Sequence, residues 1–220
     1  MVGGCTMEEL KQNVLYIGEG TLITLILLIG GLLIGTLLGT LLALLRYQGI
    51  MKPIINGFIS VMRGTPVILQ LSFIYFAVPA LIGVKANILM AGLLTFGLNS
   101  SAYIAEILRS GIEHLPKGQF EAAKTLQIPA FYLWKDIVLP QVVKNIFPAF
   151  INEMIALLKE TALIATIGGM DLMRRAQSVA AEQFTYFVPL CIAGCFYYGM
   201  VLLIEFMGKK IEERGLYVSH

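Results

Sequence analysis

Histidine is nearly missing from this chain, which has only His114 and His220 among its 220 residues. Neither an H-E-x-x-H zinc site nor a Ser-His-Asp triad can be assembled from so few. There is also no G-x-x-x-x-G-K-[S/T] loop to cradle phosphates, so the chain is not expected to hydrolyse ATP itself. Cysteine is scarce and odd in number: Cys5, Cys191 and Cys195. That argues against a disulfide framework, and no further Cys or His pair completes a metal site. Cys191 and Cys195, four apart in an apolar run, read as small packing residues on one helix face. Residues 1–7 contain no apolar h-region and are not read as a signal peptide. Charge is the last shortage. Only 14% of residues are Asp, Glu, Lys or Arg, against about 25% in soluble domains.

Hydrocarbon fills the place of charge. The chain is 57% hydrophobic with a mean hydropathy of +0.80, an excess that a soluble core of this size cannot absorb. The bilayer is the solvent that accommodates it. Gly20 to Leu45 runs 26 residues without a charge, more than the ~20 a helix needs to cross the hydrocarbon. Within it Gly31, Gly35 and Gly39 recur every four residues and mark a face for close helix packing. Ile54 to Gly83 is a second stretch, interrupted by Arg63-Gly64-Thr65-Pro66, where Pro66 predicts a kink or an unwound turn. Ala86 to Ala105 is the third. The fourth starts near Val142 and contains Glu153, Lys159 and Glu160, and the fifth is Gln183 to Ile204. Such long runs make helices rather than the short alternating segments of a barrel. The expected fold is an all-α membrane protein with five transmembrane helices.

Five spans put the termini on opposite sides. With the N terminus outside, Arg46, Lys52, Arg109, Lys117, Lys124, Lys135, Lys144, Lys209, Lys210 and Arg214 lie inside. Only Lys11, Lys85, Arg174 and Arg175 lie outside, a clear positive-inside bias. Between the third and fourth spans sits a soluble insertion, roughly Ser110 to Pro140, which this orientation places in the cytoplasm. Pro116 and Gly118 punctuate its start. A short helix is predicted from about Gln119 to Gln127, stopped by Pro129, and another over Phe131 to Val138 before Pro140 opens the next span.

From Glu121 to Pro140 the insertion reads E-A-A-K-T-L-Q-I-P-A-F-Y-L-W-K-D-I-V-L-P. It resembles the EAA loop of bacterial ABC-importer permeases, whose pattern is E-A-A, three residues, Gly, nine residues, Ile-x-Leu-Pro. Glu121, Ala122, Ala123, Ile137, Leu139 and Pro140 fall in register, while Gln127 stands where the family usually has Gly. Arg63 to Pro66, Asn99 to Glu106, Leu158 to Leu163 and Arg174-Arg175-Ala176 resemble the polar amino-acid permease branch, extending the likeness over about Gly20 to Gly215.

The resemblance implies a type I ABC importer permease of the bacterial cytoplasmic (inner) membrane. Its parts would be an extracytoplasmic or interfacial segment at 1–18, a membrane domain at 19–209 with the coupling loop at 116–140, and a cytoplasmic tail at 210–220. It implies two ATPase subunits, an external amino-acid-binding protein, and a second permease that is either another copy or a homologue. ATP and Mg²⁺ would be held by the ATPase subunits and no cofactor by this chain, with no nucleic-acid partner. By the same resemblance Phe120, Glu121, Ala122, Ala123, Lys124, Leu126 and Gln127 form a coupling helix docked in a cleft of the ATPase subunit. Ala122 and Ala123 would keep one face small, with Phe120 and Leu126 supplying apolar contact.

An ionisable residue within a span needs a partner or a polar cavity. Glu153 lies mid-span beside Met154. It would receive an ammonium or guanidinium group from a solute, or else a hydrogen bond from Asn99 or a serine of the third span; the residues leave both open. In the first case the cargo is cationic, arginine, lysine or histidine rather than glutamine. Asn99 and Ser100 offer neutral donors and acceptors, and Thr65, beside backbone freed by Pro66, would hold the amino acid's carboxylate. Lys159 and Glu160 are expected to pair with other spans, and Arg63 to satisfy a helix end or a facing acid. A rival reading, an ion-coupled secondary transporter or channel, would use Glu153 and Glu160 as ion or proton sites.

Overall fold

The computed structural model describes residues 7–213. Cys5, Arg214 and His220 lie outside the described residues, as does most of the expected 210–220 tail. Among the described residues every regular element is helical. Helix α1 (Met7–Gly18) turns at Glu19 and Gly20 into α2 (Thr21–Tyr47). α3 (Lys52–Gly64) and α4 (Val67–Ile82) follow. α5 (Ile88–Glu113) leads to the short α6 (Lys117–Thr125), and α7 (Leu139–Glu160) returns through the bundle. A 3-10 turn (Thr161–Ile167), α8 (Leu172–Glu182) and α9 (Phe187–Ile211) complete the fold.

α2, α5 and α9 are long and apolar enough to cross a bilayer, and α3 with α4 meet the same criterion as one bent pair. α7 has 22 residues, or about 33 Å at 1.5 Å per residue, against a hydrocarbon core of about 30 Å. Its apolar run is interrupted by Lys144, Glu153, Lys159 and Glu160. Local chemistry fixes the ends. The Asn87 side chain accepts from the Met90 N–H at 3.0 Å and starts α5. Gly83 closes α4 in the left-handed region at φ 71°. Asp171 accepts from the Arg174 N–H at 2.9 Å, starting α8, and from the Tyr197 hydroxyl at 3.0 Å, tying α8 to α9. Burial pushes the Asp171 carboxyl above the ordinary range, against the opposing pull of those two bonds.

α5 is the core helix. Phe96 is fully buried among Leu27, Leu71, Leu157 and Ile164. The glycine face of α2 packs on it as the spacing predicts. A Cβ on Gly31 would stand 3.2 Å from the Phe96 Cβ, one on Gly35 2.8 Å from Ser100 Oγ, and one on Gly39 2.7 Å from the Ser101 carbonyl oxygen. At the other extreme, α9 turns only Pro189, Ala193 and Gly208 fully inward. Cys191 and Cys195 are exposed on it. The packing role expected for these two is corrected: they occupy the outer side of a helix that gives little surface to the bundle.

The second apolar stretch is two helices meeting at 106°, far steeper than a kinked span. Thr65 precedes Pro66 and is driven out of the helical region to φ −118°, ψ 146°. The Gln70 side chain then bridges the break, donating to the Met62 carbonyl at 2.9 Å and the Thr65 hydroxyl at 2.9 Å.

α6 starts and stops earlier than predicted, and Pro129 is not what ends it. Ile128 N–H donates to the Ala123 carbonyl at 2.9 Å and Gln127 N–H to that of Lys124 at 3.2 Å. This is a Schellman turn, with Gln127 left-handed at φ 53° in the position that favours glycine. The turn keeps its geometry and carries the strain of a side chain there. Ala130–Tyr132 and a π turn over Leu133–Val138 then run into α7 without a break. Leu139 N–H closes the wide turn on the Trp134 carbonyl. The missing donor therefore falls on the next residue, Pro140, so the helix passes through the proline that was expected to start a new one.

Gly35→Ala is expected to pry α2 from α5 and destabilise the fold by about 1–3 kcal/mol, read as a lower thermal unfolding midpoint in detergent. Gln127→Gly is expected to relieve the left-handed strain by about 0.5–1 kcal/mol, read as slower amide exchange at Gln127 and Ile128.

Candidate functional site

Two charged clusters occupy the bundle, one between α5 and α7 and one at the end of α5 that leads into α6. In the first, Glu153 is buried on α7 and accepts a hydrogen bond from Ser100 Oγ at 2.7 Å. Ser100 is itself pressed against Gly35 of α2. The neighbouring Asn99 donates to Glu160 from Nδ2 at 3.4 Å. Glu153 and Glu160 are seven residues apart on one face of α7, about 10 Å along its axis. Neither carboxylate forms an ion pair with any described residue. Asn99 is 2% exposed and its Oδ1 has no hydrogen-bond partner. The cluster thus holds two carboxyl groups and a free amide oxygen; Lys159, exposed on the same helix, acts electrostatically on Glu160, while no cation faces Glu153.

Glu153, Asn99 and Ser100 are therefore brought together. Met154 is half-buried next to Glu153, but about 100° further round the helix, so it flanks the cluster. Thr65 does not join it. Its hydroxyl donates to the Val61 carbonyl at 2.8 Å and accepts from Gln70, and none of its bonds reaches α5 or α7. The backbone freed by Pro66, beside which Thr65 was expected to hold a carboxylate, is met locally by Gln70, a residue that sequence reading passed over.

Of the second cluster, only the facing acid expected for Arg63 was foreseen; it is Glu106. Glu106 accepts hydrogen bonds from Arg46 of α2 and Arg109 of its own helix, and pairs with Arg63 of α3 at 3.4 Å. Arg109 also bonds Glu113, and the Arg63 guanidinium lies 5.3 Å from the centre of the Tyr103 ring. A cavity of about 650 Å³ opens beside it, lined by Arg63, Tyr103, Glu106, Arg109, His114 and Asn145. One carboxylate gathers three helices. The visible hint was Glu106 three residues before Arg109; that Arg46 and Arg63 converge on it depends on how α2 and α3 pack.

In the loop, the seven residues expected to dock divide by face. Glu121, Ala122, Lys124, Leu126 and Gln127 are exposed, with Leu126 at 72%. Ala123 is buried at 3%, and Phe120 is half-buried against Leu115, Val138 and Val142. Phe120 and Ala123, three apart, lie on the stripe by which α6 packs on its own protein. Only the opposite face is open.

Residues 35–214 match the family described as binding-protein-dependent transport system inner membrane component. A permease protein of Rickettsia typhi named for a glutamine transport system is 48% identical over 204 residues, 92% of this chain and 94% of that protein. The arginine transport system permease protein of Bacillus subtilis is 43% identical over 202 residues, 90% of this chain and 92% of that protein. A crystal structure of an amino acid ABC transporter with histidines aligns at a TM-score of 0.86 and 34% identity, covering 97% of this chain and 99% of that one. With a match over most of its length and relatives this similar, the chain belongs to the family of inner membrane components of binding-protein-dependent transport systems.

Proposed function

We propose that this chain carries a cationic amino acid across the membrane, receiving its ammonium or guanidinium group at Glu153, Asn99 and Ser100. The observation that carries the reading is Glu153, buried with Ser100 as its hydrogen-bond donor and no ion pair, next to Asn99, whose Nδ2 bonds Glu160 and whose Oδ1 has no partner. A cationic solute supplies donors and the missing positive charge together. Glutamine supplies donors alone and leaves Glu153 uncompensated. The name of the arginine-transport relative supports this choice, and that of the Rickettsia protein supplies the competitor to test it against.

Family membership makes an ATPase subunit and a solute-binding protein the partners of this multi-pass inner-membrane chain, with ATP hydrolysis on the separate subunit. The finer arrangement is our reading. A second copy or a homologous permease completes the pathway, ATP and Mg²⁺ are held by the ATPase subunit, and the N terminus faces outward. The distribution of Lys and Arg supports that orientation. The exposed face of α6, with Leu126 foremost, docks on the ATPase subunit. Because α6 is packed on Leu115, Val138 and Val142, and its loop runs into α7 without a break, displacement of α6 moves the helix bearing Glu153.

Two experiments test this. In liposomes containing the ATPase subunit and binding protein, Glu153→Gln is expected to cut arginine uptake at least tenfold, while basal ATPase activity persists. Unchanged arginine uptake would overturn the site, and uptake independent of ATP would overturn the coupling. Leu126→Ser is expected to weaken binding of the ATPase subunit about 5- to 30-fold, the effect of losing 1–2 kcal/mol of apolar contact, with the unfolding midpoint unchanged. Undiminished co-purification and uptake would remove Leu126 from the docking face.

A further inference from the structure

Two depressions meet beside the turn between α2 and α3. One, about 350 Å³, is an apolar trough walled by Ala43, Leu44, Tyr47, Ile112, Trp134 and Leu139. The other, about 300 Å³, is charged, with Arg46, Lys52, Arg109 and Glu113 in its lining. Ala43, Tyr47 and Ile112 line both, so the trough opens directly onto the charges. Three cations face one acid there. Arg46 and Arg109 are held in place by Glu106, each with further N–H groups to offer. Lys52, the first residue of α3, is exposed and forms no ion pair among the described residues.

A trough of hydrocarbon ending in fixed cations, where a spanning helix leaves the bilayer, is complementary to an amphiphile with an anionic head. We propose that one anionic phospholipid binds here, its phosphate against Arg46, Lys52 and Arg109 and an acyl chain along the trough past Trp134. Charge complementarity selects the occupant: a zwitterionic head would bring an ammonium group to the same cations. Tyr47 and Trp134 meet edge to face, ring centres 5.0 Å apart. The lipid therefore lies across the contact between α2 and the segment joining α6 to α7. The site is independent of the cargo proposed above and requires only that the chain lie in a bilayer.

Trp134 is the only tryptophan of the chain, which makes its fluorescence a specific reporter. The full chain would be reconstituted in phosphatidylcholine bilayers, and brominated phosphatidylglycerol compared with brominated phosphatidylcholine as quencher. Brominated phosphatidylglycerol is expected to quench at mole fractions at least tenfold lower. Lys52→Gln is expected to remove about fivefold of that preference, the share of one cation near an anionic head. Excess inorganic phosphate should leave the quenching in place. Equal quenching by the two lipids, or an unchanged preference in the Lys52 variant, would overturn the proposal. So would relief by inorganic phosphate, which would mark a soluble-anion site, or no quenching by either lipid, which would show the trough covered by another protein surface such as a second copy.

Discussion

The close approach of α2 to α5 governs the geometry of the whole bundle. Three glycines bring the α2 backbone within side-chain distance of Phe96, Ser100 and Ser101. In hydrocarbon there is little hydrophobic force to drive two helices together, so the gain comes from dispersion contact that only small residues permit. The same contact has a polar consequence. Gly35 presses on Ser100, and Ser100 is the donor that meets Glu153. The seam between two apolar helices thus positions the acid of a third.

Glu106 is to the end of the bundle nearest α6 what that seam is to the contact of α2 with α5. A single carboxylate, half surrounded by the guanidinium groups of Arg46, Arg63 and Arg109, joins α2, α3 and α5. Charge-assisted bonds of this kind are stronger and more directional than apolar packing, so they fix the orientation of the helices at this end. Arg63 sits just before the steep break at Pro66 and ties that end of α3 to α5. The type I importer permease fold shared with the solved amino acid transporter is built on this framework of few but well-placed polar contacts.

The spans, the small-residue face and the loop were legible because each is written in composition or local spacing. Twenty or more uncharged residues have one solution in a bilayer, and glycines four apart lie on one face whatever the partner. What sequence could not give was which side chains from different helices meet. Glu153 had Asn99 and the serines of the third span as possible partners; packing gave it Ser100 and assigned Asn99 to Glu160. The partner of Thr65 was not foreseen because Gln70 lies five residues on and folds back across the break. That Phe120 and Ala123 face inward was not legible, because an amphipathic helix does not announce which face belongs to its own protein. The left-handed Gln127 shows the converse: hydrogen bonds at Lys124 and Ala123 can impose a turn on a residue that does not favour it.

α7 also has restricted degrees of freedom. Its two acids lie on a single face, and turning that face toward lipid would bring a penalty of at least about 2.5–3.5 kcal/mol for each charge. Rotation about the helix axis is thereby blocked in both directions. Tilting, or sliding along the axis, keeps both carboxylates inside the bundle. Under this constraint an axial push on α7 would become a tilt or a slide, as in a keyed shaft rather than a free one.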